Sequence, residues 1–421
     1  MKILLSAYSC LPTTASEPGN AWRTINDLLR DHEVWAVIEE SRHAQRIVAH
    51  LANHPMPGFH PVFMSVRFPF ESRLVPGEIV RSVHYSLWQT RLLKTVEALH
   101  TRIGFDLCQH ITFGRYWSPS GLRTLDLPFV WGPVGAAERP PRPFVDELPA
   151  DARLFEFIRD HVRNRASRSQ ALLATAKAAT IAIGVTEESC GALKSLGARR
   201  VEMLPQMALT DDELDYLGSL PQPTPGPLHA LCIGRLLHWK GFHLAIRAFS
   251  RFAMASPESE LWIVGDGPYR RQLEKVATAT GIRSRVRFLG WLPSHSEVMK
   301  ALARSHVLLH PALHEGFGNV CLEALAAGRP VACVNIGGPA TQMTRDTGFV
   351  APATRPEEAV EAMASFLFEL NSNRSLLAFM SARAKARARA EFSMTRVRSI
   401  MRTLYSEAVS YHRENRAPRI S

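Results

Sequence analysis

The stretch HPALHEGFGNVCLEALAAGRPVACVNIGGP, residues 310–339, decides the fold. An apolar run ending at Pro311 is followed by the glycine-rich turn "EGFG", then an Ala/Leu-rich run closed by Gly328, then a second apolar run, "PVACVNI". That order is the grammar of a parallel sheet flanked by helices. Two carboxylates punctuate it, Glu315 in the turn and Glu323 about one turn into the helix. Gly316 and Gly318 leave room for a ligand near the backbone, Asn319 is expected to cap the helix, and free amides there favour oxygen-rich or anionic groups. Fully helical, the spacing would separate the carboxylates by about 12 Å, beyond the roughly 5–10 Å of a glycosidase pair. They fit better as clamps on hydroxyls of one polyhydroxylated ligand, with a solvated loop residue and a helix-surface charge as the alternative.

The same grammar runs along the 421 residues. Strand candidates are KILLSAY, EVWAVI, DLCQHI, PFVWG and ATIAIGV in the first half, then LHALCIGRL, ELWIVGD, RVRFLG, HVLLHP and PVACVNI. Two doubly wound α/β domains are expected, 1–205 and 227–394. Between them the prolines and glycines of DDELDYLGSLPQPTPGPLH suggest an irregular linker over 206–226. Ligands of such folds bind beyond the carboxyl ends of the strands, here in an expected cleft between the domains.

Composition narrows the classes. With 46% hydrophobic and 21% charged residues the chain reads as globular. The start, MKILLSAYSC, holds too short an aliphatic run for a signal peptide and reads as a first strand, and no apolar run is long enough to span a bilayer. Six scattered cysteines without a C-x-x-C pair point to buried thiols and a cytoplasmic location, with no metal site. The net charge of +11 concentrates in residues 380–421, where ten Lys or Arg face three Glu. This tail is expected to be helical, its arginines forming either a solvated face or a patch for an anionic partner.

Two loops beside the opening stretch add cations. In CIGRLLHWKGFHLAI, Arg235 follows a strand and Lys240 stands at a helix start, a pairing suited to a pyrophosphate, with ordinary surface charge as the alternative. WIVGDGPYRRQL repeats the strand, glycine turn and helix, and VRFLGW ends a strand at Gly290.

In this order and spacing GRLLHWKG, VGDGPYRRQL, VRFLGWL, HPALHEGFGNVCLEALAAGRPV and NIGGP resemble the nucleotide-sugar domain of glycosyltransferase family 4, retaining enzymes of the GT-B fold. SEPGNAW and PFVWGPVGAAE are similar to bacterial members. The resemblance implies two Rossmann-like domains, with a last helix, about 395–415, returning to the first. It implies a nucleotide-sugar donor, UDP- or GDP-linked, whose diphosphate is held by Arg235 and Lys240 beside Gly234. The base would meet the backbone of Phe288, Leu289 and Gly290, and the ribose Glu323. Glu315 would contact the donor sugar, with Gly316, Phe317, Gly318 and Asn319 lining the pocket and Gly19 approaching the phosphates. It further implies transfer without a protein nucleophile and without a metal, to a glycan or polyprenyl-linked acceptor in bacterial polysaccharide or glycolipid synthesis. Asn20 replaces a glycine frequent at that position in the family, which sets the Gly19 contact apart.

Acceptor-side readings have rivals. Glu17 is an acceptor contact or a helix cap; His110 is a catalytic, acceptor-orienting residue or a satisfied core histidine; Glu138 follows the next strand as a third candidate. In DARLFEFIRDHVRNRASR, Leu154, Phe155, Ile158 and Val162 alternate with Arg159, Arg163 and Arg165, either as a helix packed on its own domain or as one lying on an anionic membrane surface. Nucleic acid is not an expected partner. The competing functions are a nucleotide-sugar epimerase or hydrolase of the same architecture, which lacks the Glu-x7-Glu pattern, and a non-catalytic basic membrane-binding protein, which would not need these four charged residues in register.

Overall fold

The computed structural model describes residues 1–12, 17–66, 77–223 and 225–416. Ser16 of SEPGNAW and Arg419 of the basic tail lie outside them. Two compact units are present. One comprises residues 1–137, 160–206 and 398–421; the other comprises 138–159 and 207–397.

The first unit is built on seven parallel strands: β1 (Lys2–Ser6), β2 (Glu33–Glu39), β3 (Phe59–Met64), β4 (Leu107–His110), β5 (Phe129–Val134), β6 (Ile181–Gly184) and β7 (Val201–Met203). Their order is β3-β2-β1-β4-β5-β6-β7. Alternate residues feed opposite faces: Leu4, Val37, Cys108, Trp131 and Ala182 enter one apolar cluster, while Ile3, Leu5, Ile38, Val130 and Ile183 enter the other. A sheet buried on both sides therefore reads as continuous apolar runs. The helix Met394–Arg416 belongs to this unit from Arg398 on, through buried Leu404, Tyr405 and Ala408, with Arg398 paired to Asp27 and Arg402 to Asp31.

The second unit holds six parallel strands: β8 (His229–Ile233), β9 (Glu260–Val264), β10 (Val286–Gly290), β11 (Val307–His310), β12 (Val331–Val334) and β13 (Gly348–Ala351), in the order β10-β9-β8-β11-β12-β13. Winding reverses between β8 and β11, so the loops after those strands open side by side at the switch point. Of the thirteen strands among the described residues, ten match the sequence expectation. The missed ones, β3, β7 and β13, are all sheet edges, and Pro61 inside β3 is tolerated only there.

The segment 206–226 is not irregular throughout, as expected, but carries a helix, Asp211–Ser219. Thr210 and Glu213 form a capping box, and the four prolines begin only after the helix ends. Pro221 is then tied down by the buried Arg329, which also donates to the carbonyls of Leu302, Ala303 and Ala327. The basic tail is helical, Arg374–Phe392 followed by Met394–Arg416. Within the second unit Arg389 pairs with Asp215, Arg396 with Glu391, and Arg387 donates to the Gln342 carbonyl. These partners account for much of the tail's charge as packing rather than as a binding patch.

Candidate functional site

The site grows from the reversal in the second sheet. After β8, Gly234 N–H continues the ladder by donating to Val264 (3.0 Å), and Arg235 then projects into solvent. Among the described residues no carboxylate pairs with Arg235. The chain next makes a 3-10 turn, His238–Lys240, and enters the helix Phe242–Ala253 through Gly241. Gly241 has φ +68°, a left-handed backbone that glycine adopts freely, and a Cβ there would lie 1.8 Å from the Pro311 carbonyl oxygen. This close approach seats the β8 loop on the end of β11. Leu313 N–H donates to Trp239 C=O across the two loops (2.7 Å).

On the β11 side, Glu315 turns toward Lys240, and its carboxylate accepts from the ammonium group and from His310 Nε2 (3.3 Å). Both partners are largely buried, with 18% and 20% of the Lys240 and Glu315 side chains exposed. Burial opposes ionisation of Glu315, but the Lys240 charge and the His310 and Lys240 hydrogen bonds together outweigh it and hold the carboxyl well below its ordinary range. Burial likewise lowers the pKa of His310, against the opposing pull of Glu315, so the ring is neutral and its Nε2–H donates. A lysine ammonium has three donors, so pairing with Glu315 leaves two N–H groups for other acceptors.

The turn after Glu315 departs in one respect from expectation. Gly318, at φ +83°, occupies the cap position of the helix Asn319–Ala326, and Asn319 is its first residue. The cap residue takes left-handed backbone in this turn, and glycine supplies it at lower cost than asparagine. Phe317 is buried with its carbonyl accepting from Gln342 Nε2, while Gly316 is half-buried. Glu323 lies within the helix, 16% exposed, its carboxylate 4.0 Å from His295. Burial pushes the thiol of Cys321 up, Cys333, Glu315 and Glu323 add to the effect and Lys240 opposes it. Both carboxylates and the lysine thus fall within electrostatic reach of one sulfur.

Further along the same sheet edge, Phe288 on β10 is half-buried with the Arg270 and Arg283 guanidiniums 5.7 and 5.4 Å from its ring centre. Leu289 is exposed, and the Gly290 carbonyl accepts from Gly265 N–H (2.8 Å).

The acceptor-side candidates fall in both units. Glu138, buried, belongs to the second unit, where its Cγ would be 3.3 Å from a Cβ on Gly337; the same Cβ would meet the Glu315 carbonyl at 2.5 Å. The structure thus brings Glu138 to the Glu315 turn. In the first unit Glu17 Oε1 accepts from Gly114 N–H (2.8 Å), tying the first helix to the loop after β4 rather than capping that helix. Gly19 lies buried in the first turn of the helix Glu17–Leu28, not in a loop. His110 is 1% exposed, with Tyr85 Oη at 3.4 Å from Nε2 and Ser120 Oγ at 3.2 Å from Nδ1. Burial pushes its pKa down to about 4. This is the placement that the core-histidine reading of His110 expects.

Sequence reasoning missed a second polar cluster beside the first. Glu156, in the helix Ala150–Ala166, accepts from His238 Nε2 through Oε1 (2.8 Å) and from His314 Nε2 through Oε2 (2.5 Å), with Arg159 at 3.7 Å. Phe155 stacks on Trp239 (5.2 Å). The apolar stripe dominates the sequence of this helix and hides the charged residue facing inward. Its exposed stripe is Leu154, Phe157, Ile158 and Val162, whereas Arg163 is buried against Asp160 and Trp117.

Residues 222–384 match the family described as glycosyl transferases group 1. The 2-deoxystreptamine glucosyltransferase of Streptomyces kanamyceticus is 34% identical over 154 residues, 35% of this chain and 40% of that protein. The lipopolysaccharide core biosynthesis glycosyltransferase LpsE of Rhizobium meliloti is 38% identical over 120 residues, 28% of this chain and 33% of LpsE. The chain therefore matches well under half the length of these relatives. Sucrose-phosphate synthase from Thermosynechococcus elongatus shares the fold at a TM-score of 0.69 and 17% identity, covering 97% of this chain and 99% of its own. HepE of Anabaena, solved with UDP, does so at 0.64 and 17%, covering 96% and 100%. The two-sheet architecture is that of the GT-B glycosyltransferases.

Proposed function

With residues 222–384 matching the glycosyl transferases group 1 and the whole chain folded as a GT-B glycosyltransferase, we propose that the protein is a retaining hexosyltransferase. It moves a hexosyl unit from a UDP- or GDP-linked sugar to a hydroxyl of a glycan or lipid-linked oligosaccharide, in polysaccharide or glycolipid synthesis. The observation that carries this reading is the convergence, at one sheet reversal, of solvent-facing Arg235 with the Lys240–Glu315 pair. Arg235 forks two oxygens of the donor diphosphate and Lys240 supplies its two remaining N–H groups. Glu315 takes hydroxyls of the donor sugar, and Glu323 those of the ribose. HepE, a structural neighbour, is solved with UDP and with UDP-glucose, which supports a donor of this class.

In this scheme the acceptor oxygen attacks the anomeric carbon on the face that the diphosphate leaves, and the leaving phosphate oxygen takes the acceptor proton. The protein's part is preorganised positive charge on the departing diphosphate, each such donor being worth about 10²–10³ in turnover. No metal is required in this scheme, because the side chains provide that charge.

Thermal-shift screening against UDP- and GDP-sugars tests the proposal. The correct donor at 100 times its Kd is expected to stabilise by about 2.7 kcal/mol, and Arg235→Ala is expected to abolish the shift. An unchanged shift in that variant would remove Arg235 from the donor site.

The proposal extends to peripheral attachment at a cytoplasmic membrane face. Among the described residues no helix is long and apolar enough to cross a membrane. Leu154, Phe157, Ile158 and Val162 instead expose 58%, 69%, 48% and 53% of their surface along one helical stripe, beside exposed Arg153 and Arg165. Flotation with phosphatidylglycerol-containing vesicles at low salt is expected to carry the wild type upward and leave Leu154→Ser/Phe157→Ser behind. No wild-type flotation would end this part of the reading.

A further inference from the structure

We infer that Glu156 is a positioning residue for the site: its carboxylate clasps His238 and His314, and through them holds the loop of Arg235 and Lys240 in register with the loop of Glu315. Its importance for transfer rests on the function proposed above; the clasp itself does not.

The helix around Glu156 exposes Leu154, Phe157 and Ile158, yet Glu156 is 4% exposed. A carboxylate taken out of water costs several kcal/mol unless its lone pairs are filled by well-placed donors. Here each oxygen is filled from a different loop, Oε1 by His238 and Oε2 by His314. Burial opposes ionisation, but the hydrogen bonds from the two histidines outweigh it and hold the carboxyl at about 2. The anion is therefore the form that bridges.

Chain position gives the bridge its consequence. His238 lies between Arg235 and Lys240, and His314 directly precedes Glu315. Three links then tie the β8 and β11 loops together: the Leu313–Trp239 backbone bond, the Glu156 carboxylate and the Lys240–Glu315 ion pair. Phe155, stacked on Trp239 and edge-on to His238 at 5.2 Å, anchors the helix to the same turn. The first link is close to the strands and the third is the one engaged by ligand, so Glu156 sets the spacing between the loops when Lys240 turns to a phosphate. A misplacement of about 1 Å at such a site costs on the order of 10²-fold in rate.

Hydrogen exchange on the full chain, read by mass spectrometry with no nucleotide present, tests the clasp directly. Glu156→Ala is expected to speed exchange at least about tenfold in residues 234–241 and 311–318 together, leaving β8 and β12 as in the wild type. Glu156→Gln keeps an acceptor for one imidazole and a donor for the other, and is expected to restore most of the protection. UDP binding, measured by calorimetry, is expected to weaken about tenfold or more in the alanine variant and to recover in the glutamine variant. Should Glu156→Ala not fold, His314→Ala cuts one arm and is expected to loosen both loops. Wild-type exchange in both loops, loosening of only one, or a rise spread over the whole chain would each overturn the inference. Failure of the wild type to bind either UDP or GDP would count against the proposed function, while the exchange result would still judge the clasp.

Discussion

Lys240→Met is expected, on the proposed function, to lower transfer about 10²–10³-fold, because it would remove a fixed positive charge from the departing diphosphate. It is also expected to destabilise the second unit by roughly 3 kcal/mol, the low end of the range for breaking a buried ion pair. The low end applies because 20% of the Glu315 side chain keeps contact with water and His310 still donates to it. The double variant Lys240→Met/Glu315→Gln separates the two effects. With no carboxylate left to strand, thermal stability should return to near the wild-type value, while transfer stays lost. The pair also has a pH signature. Glu315 is held below the ordinary carboxylate range, so its contribution to stability is fully present above the unfolded value of about 4.3 and is lost as pH falls toward the folded one. The acid limb of a stability–pH profile should therefore be shallower in the double variant. Equal stability of the single and double variants would contradict the buried pair.

Gly241→Ala is expected to be the most damaging single methyl in the second unit. Left-handed backbone costs alanine roughly 1–2 kcal/mol, and the added Cβ would sit 1.8 Å from the Pro311 carbonyl oxygen, where no side-chain rotation relieves it. The β8 loop must then lift off the end of β11, which pulls Lys240 away from Glu315. A combined loss of about 4 kcal/mol or more follows, with UDP binding lost as well. Gly281→Ala is the matched control: its φ is +74°, yet nothing lies within 4 Å of the added carbon. Scanning calorimetry of the two variants should show a small drop for Gly281→Ala and a large one for Gly241→Ala. Similar drops would mean that backbone conformation alone, not the approach to β11, makes Gly241 necessary.

The central strands and the switch-point loops were legible in the sequence because burial on both sheet faces forces unbroken apolar runs, as in VLLH and VACV, and because glycine marks the strand-to-helix turns. The edges were not. β3, with its intermediate burial and Pro61, and the three-residue β7 have one neighbour each and need no such run. The helix Asp211–Ser219 carried a readable signal, Thr210 and Glu213 at capping-box spacing, but the prolines behind it dominated the reading. At the site, Lys240 and Glu315 announced themselves as charges beside glycines. Their contact, 75 residues apart in sequence, is a product of topology that spacing does not contain. Glu156 was less legible still, since its two partners lie 82 and 158 residues away and its neighbours advertise an apolar face. His110 shows the same limit: a polar residue at a strand end reads as a site candidate, while its contacts with Tyr85 and Ser120, 25 and 10 residues away, come from the fold and not from that pattern.

The most direct test is a crystal structure of the chain with UDP. The account expects the β-phosphate between the Arg235 guanidinium and the Lys240 ammonium, with the ribose hydroxyls on Glu323. UDP bound elsewhere, or bound here with Arg235 and Lys240 turned away from its phosphates, would contradict it.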